Sequence, residues 1–162
     1  MTRKGTPAST IHSLIYRAHD SGEAQPSFEL WEGAPASKAE LIVIGPSNPV
    51  ISIGPILAVP GMREMISAAS APVLAVSPYV AGKVIKGPTD LFMQAIERPT
   101  TAAGVASLYQ GLIDAMICDA DDPDPPPPDV RSFSIKTLMH SKESRASVGR
   151  AVLKVGRKLI SE

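Results

Sequence analysis

Two polar segments of this chain, each following an apolar run, hold the residue types best suited to chemistry. The first is Gly45-Pro46-Ser47-Asn48-Pro49-Val50-Ile51-Ser52-Ile53-Gly54-Pro55. Ser47, Asn48 and Ser52 are small hydrogen-bonding side chains. The glycines, Gly45 among them, let a phosphate approach backbone N–H groups that can cradle it. The prolines stiffen the segment. Composition alone fits an ordinary turn-rich connection equally well. The second segment runs Ser77-Pro78-Tyr79-Val80-Ala81-Gly82-Lys83 and continues to Lys86-Gly87-Pro88. Lys83 and Lys86 are point charges able to offset a phosphate. Two such loops on one edge point to a phosphate-bearing ligand more strongly than either alone.

The elements around these segments set their place. Leu41-Ile42-Val43-Ile44 is a continuous β-rich run ended by Gly45-Pro46, as expected of a strand buried on both faces. Pro72 to Val76 reads as a second such strand, Ala115 to Cys118 as a third and Phe133 to Lys136 as a fourth. Both polar segments then leave carboxyl ends of strands, where open α/β sheets bind ligands. Helices are expected over Met62–Ser70, from a Thr89 cap to about Glu97 with Leu91, Phe92, Ala95 and Ile96 inward, and from Thr100 or Thr101 onward with Val105, Leu108, Tyr109 and Leu112 on one stripe. Ser141 caps a last helix carrying Val148, Val152, Val155 and Leu159 at helical spacing. The alternation predicts an α/β fold with a mostly parallel sheet and flanking helices. Residues 1–26 show no clear periodicity, apart from a short helix at Ile11–Ala18. Phe28, Leu30 and Trp31 suit a short strand before a Gly33–Ser37 turn. Residues 27–162 read as one α/β domain.

Much else is excluded. No G-x-G-x-x-G opens a helix, and neither a Walker-type loop nor G-x-S-x-G occurs. His12, His19 and His140 lack metal-ligand spacing and read as surface histidines. The single cysteine, Cys118, permits no intrachain disulfide and reads as a small buried hydrophobe. Sixteen Lys and Arg balance sixteen Asp and Glu, so charge suggests neither a nucleic-acid nor a membrane partner. Prolines interrupt the most apolar stretch, Leu41–Gly61, and no secretory signal opens the chain, so a cytoplasmic protein is expected. Asp119 to Asp129, with Pro125 to Pro128, reads as a solvated loop rather than a calcium site. Asp114 and Asp119 flank the third strand. Asp119 reads first as a turn residue, with a place facing the site as the alternative.

The run IGPSNPVISIGPILAVPGMRE resembles, almost residue for residue, a motif of the 2-phospho-L-lactate transferases. APVLAVSPYVAGKVIKGPTD is similar to that family's second signature, and ASLYQGLIDAMICD to its helix–strand unit. Thr137-Leu138-Met139 resembles a small motif near its C-terminal end. The likeness covers roughly residues 27–160. The related gluconeogenesis-factor-like branch has a different loop here, so Ser47-Asn48-Pro49 favours the resemblance to the transferases.

The resemblance implies a Rossmann-like fold and, for this chain, its C-terminal part. It implies transfer of a phospholactyl or phosphoenolpyruvyl group from a guanosine diphosphate ester to a deazaflavin alcohol, with GMP leaving, in coenzyme F(420) biosynthesis. Mg²⁺ would assist, its ligands lying in the N-terminal half, so no metal ligand is assigned here. Gly45, Ser47, Asn48, Ser52 and Ser77 would lie at the diphosphate and acceptor, and Lys86 and Gly87 at the nucleotide side. No residue is assigned as the catalyst. A homodimer or a separate N-terminal half is the expected protein partner. The chain departs from the family in being shorter, in Ala81-Gly82 where paired glycines are usual, and in Lys136 where an acidic residue is common. A non-catalytic nucleotide- or deazaflavin-binding module and a decayed fragment are the alternatives.

Overall fold

A computed structural model of the protein describes residues 39–161. The expected N-terminal helix, the Phe28–Trp31 strand, the Gly33–Ser37 turn, His12, His19 and the segment 1–26 lie outside the described residues.

Strands β1 (Ile42–Ile44), β2 (Val73–Val76), β5 (Ala115–Asp119) and β6 (Arg131–Ile135) form a four-stranded sheet in that order, every neighbour parallel. A short antiparallel hairpin, β3 (Tyr79–Val80) with β4 (Lys83–Val84), stands apart from it. After β1 the chain makes a π-helical turn, Pro49–Ile53, that runs into α1 (Gly54–Leu57), and α2 (Met62–Ser67) follows. Helices α3 (Thr89–Ala95) and α4 (Ala102–Leu108) lie between the hairpin and β5, and α5 (Lys142–Ile160) comes last.

Because each strand is added on the same side of the last, right-handed crossovers place their helices on one face. The core follows this rule. Val73, Ala75, Met116 and Cys118 pack with Leu57, Met62, Met93 and Val105 from α1 to α4. The alternate residues of the same strands, Leu74, Val76, Ala115 and Ile117, meet Val155 of α5 on the other face. Both central strands are buried along their whole length, which is why their sequences are unbroken apolar runs. Helix α5 lies so close to the sheet that a Cβ at Gly156 would run into the Leu41 side chain.

The expected strands and helices are present with ends displaced by a residue or more. Four expectations are corrected. Strand β1 is not buried on both faces: it ends the described sheet, and Val43 is exposed. Leu91 is 65% exposed rather than inward. Helix α3 buries Thr89 and Met93, one turn apart, and Leu91 falls off that stripe. Pro88 is the N-cap of α3, while the Thr89 hydroxyl serves as an acceptor for Asn48. The acidic loop after β5 is not simply solvated. Its Pro127 is buried, and a Cβ at Gly82 would come within 2.8 Å of Pro123.

Candidate functional site

The loops after β1, β2 and β6 meet at the carboxyl edge of the sheet around a cavity of about 270 Å³. Pro46 and Asn48 come from the first loop. Ser77, Pro78, Val80, Val84, Ile85, Lys86 and Thr89 come from the second, and Thr137 to His140 from the third.

The first wall is helical. Asn48 caps the π-helical turn: its Oδ1 accepts from the N–H groups of Val50 and Ile51 at 2.9 and 3.1 Å. Its Nδ2 donates to Thr89 Oγ1 at 3.1 Å, joining this loop to α3. The turn closes as Ile53 N–H donates to the Asn48 carbonyl at 3.0 Å. Winding the segment this way leaves Ser47 and Ser52 exposed.

The second wall is the hairpin. Its two-residue turn, Ala81-Gly82, has positive φ at both positions, 50° and 72°, as such turns require. Glycine adopts this backbone freely, and alanine pays a steric cost. Carboxylates from the end of β5 and the loop after it hold the turn: Ala81 N–H donates to Asp119 at 3.2 Å and Gly82 N–H to Asp122 at 2.7 Å. At the hairpin's start, Tyr79 N–H donates to Ser77 Oγ at 3.1 Å, and Tyr79 Oη donates to Asp90 at 2.9 Å. Burial, then the Asp90 carboxylate, pushes the Tyr79 phenol well above its ordinary range.

The third wall hangs from Asp119. Thr137 donates to its Oδ2 from both backbone N–H and hydroxyl, at 2.7 and 2.8 Å. Burial pushes the Asp119 carboxyl up, but the donors from Thr137, Asp121 and Ala81 outweigh it and hold the group below the ordinary carboxylate range. The carboxyl is therefore ionised and accepts only, which fixes the hydroxyl hydrogens. Thr137 lines the cavity, and its Oγ1, having given its hydrogen to Asp119, is left to act as an acceptor. Ser77 and Thr89, which accept bonds, keep their hydroxyl hydrogens to donate. Those donors and the Lys86 ammonium suit an anion, with Thr137 available to a ligand hydroxyl or N–H.

Of the residues singled out from sequence, Asn48, Ser77 and Lys86 line this cavity. Gly45, Ser47, Ser52, Gly87 and Lys83 lie outside its lining. Thr137 and its neighbours were marked only by resemblance to a family motif, and His140 only as a surface histidine. A position just past a strand, like that of Ser77, was the signal for Thr137. Cys118 faces the helices, and burial pushes its thiol up to about 11.

Magnesium does not fit the residues described. No cluster of three or more His, Cys, Asp or Glu able to hold a metal ion occurs among them. Asp119 and Asp122 are committed to the hairpin and to Thr137. No described helix is long and apolar enough to cross a membrane.

A largely apolar cavity with Ser77, Lys86, Thr89 and Thr137 in its lining thus lies at the carboxyl edge of a parallel sheet, where open α/β folds bind their ligands. The family described as 2-phospho-L-lactate transferase CofD matches residues 21–152, and the chain belongs to that family. A phosphoenolpyruvate transferase of Mycobacterium marinum is 33% identical over 150 residues, covering 89% of this chain and 44% of that protein. A 2-phospho-L-lactate transferase of Methanospirillum hungatei is 38% identical over 116 residues, covering 72% and 37%. One from Streptomyces coelicolor, named phosphoenolpyruvate transferase, is 46% identical over 88 residues, covering 54% and 28%. The chain thus spans less than half the length of these relatives. A solved structure from Bacillus halodurans shares the fold at a TM-score of 0.52 and 19% identity, covering 86% of this chain and 54% of that one.

Proposed function

We propose that this chain forms part of a transferase site that moves a phospholactyl or phosphoenolpyruvyl group from a guanosine diphosphate ester to a deazaflavin alcohol, in coenzyme F(420) biosynthesis in the cytoplasm. Family membership over residues 21–152 carries this reading. The alcohol oxygen would bond to the phosphorus bearing the three-carbon acid. The bridging P–O bond would break, GMP would take the bond's electrons, and the alcohol proton would pass to solvent or a base. In such a reaction positioning and charge neutralisation do most of the work.

On this reading Lys86, Ser77 and Thr89 offset the anionic diphosphate, and the flanking Ile85, Leu138 and Met139 give a flat acceptor ring an apolar surface. Asn48 holds the first wall against α3 rather than reaching the ligand with a free amide. Gly45, Ser47, Ser52 and Gly87 remain proposed contacts at the cavity's margin. Mg²⁺ would need ligands supplied by residues not described here, by a second copy or by a separate N-terminal half.

The test is GMP release from purified residues 1–162, with deazaflavin, guanosine ester donor and Mg²⁺, with and without the N-terminal half of a relative. The expected result is turnover only when that half is added. Turnover by the chain alone, in a pure sample, would overturn the need for a second part. A second reading is a binding module without turnover. It predicts thermal stabilisation by GMP or deazaflavin and no product under either condition.

A further inference from the structure

Asp119 is the one charged side chain buried among the described residues, at 4% exposure. A turn residue would need only its bond to the Asp121 N–H, two positions on, at 3.1 Å. Asp119 does much more. Oδ1 also takes the Ala81 N–H, 38 positions away, and Oδ2 takes both donors of Thr137, 18 positions away. The two oxygens of one carboxylate therefore hold two different walls of the cavity. The hairpin it holds contains a non-glycine residue at positive φ, a conformation that needs outside support.

We propose that Asp119 is the positioning residue of this cavity, locking the β3–β4 hairpin and the Thr137–His140 segment into one unit so that both walls form together and Thr137 presents its oxygen to the ligand. This rests on reading the cavity as the ligand site. An ionised carboxylate accepts from all four donors at once. An amide in its place would turn N–H groups toward one wall, and an apolar side chain would orphan both. The ion pair between Lys136 and Asp121 is exposed and cannot substitute for this link.

The test uses amide hydrogen exchange of the full chain in the variants Asp119→Asn and Thr137→Val. Thr137→Val removes the hydroxyl bond on Oδ2 and no hydrogen bond of the hairpin. The proposal expects the Ala81 amide, on the far oxygen, to exchange several-fold faster in Thr137→Val. In Asp119→Asn, Ala81 and Thr137 should both exchange about tenfold faster or more. The Ser77 amide, bonded to the Ile117 carbonyl in the sheet extension, should keep its rate. GMP affinity should fall about tenfold in Asp119→Asn. An unchanged Ala81 rate in Thr137→Val would overturn the coupling, even if Asp119→Asn failed to fold. Equal acceleration at Ser77 would make Asp119 a general stability residue. Unaltered GMP affinity in a folded Asp119→Asn protein would also overturn the proposal. Exchange needs no ligand, so failure of the wild type to bind GMP would count against the functional reading alone.

Discussion

The loops after β1 and β2 leave the same sheet edge, yet they are built on opposite principles. The first winds into a π-helical turn and is held by its own Asn48, which caps it locally and reaches α3. The second opens into a hairpin and is held from outside, by Asp119 at the end of β5 and Asp122 in the loop after it. The first wall is a local structure whose sequence contains its own support. The second is a long-range structure whose support lies some forty residues later. Polar residues do not become ligand contacts by being near a strand end. The backbone path decides which of them face the cavity, and in the wound loop it turns Ser47 and Ser52 away from the lining.

The contrast can be broken or sharpened by substitution. The largest effect is expected from Asp119→Ala, which strands buried donors on both far walls and should cost about 3 kcal/mol of stability. Denaturant unfolding measures it, and a loss below about 0.5 kcal/mol would remove the claim that the second wall is held from outside. Asn48→Ala removes a cap and one bond to Thr89, and should cost about 1 to 2 kcal/mol. Its effect should appear in melting temperature as well as in GMP affinity. Ala81→Gly relieves the positive φ and should stabilise the protein by about 0.5 to 1 kcal/mol, the strain relieved exceeding the added freedom of the unfolded chain. Ser52→Ala should change stability by no more than about 0.5 kcal/mol, because Ser52 is exposed.

The acid response tests the same carboxylate. The folded state holds Asp119 below its ordinary range, so its contribution is present above the unfolded pKa and disappears as pH falls through the folded one. Unfolding free energy of the wild type should therefore decline on acidification more steeply than that of Asp119→Asn. Parallel pH profiles would contradict the assigned ionisation.

The sheet was legible because its two central strands are buried on both faces and so read as unbroken apolar runs, Val73–Val76 and Ala115–Asp119. Caps at Thr101 and Ser141 were legible because a capping side chain bonds within three residues of itself. The hairpin was not. Each of its strands is two residues long, too short for any alternation, and Ala81 is an unusual residue for a positive φ. Asp119 was visible only as a carboxylate beside a strand, since its partners at Ala81 and Thr137 are brought to it by tertiary structure. Leu91 misled because an apolar residue in a helix was assigned inward before the helix had a neighbour to set its rotation.

The central claim is that the ligand site is the cavity between these walls. Titration of the isotopically labelled chain with GMP, followed by amide NMR, tests it most directly. The account predicts the largest shift changes at Lys86, Ser77, Thr89 and Thr137 to His140, weakened by Lys86→Ala. Changes confined to residues 47–52, or located at the opposite edge of the sheet around Asp114, would contradict it.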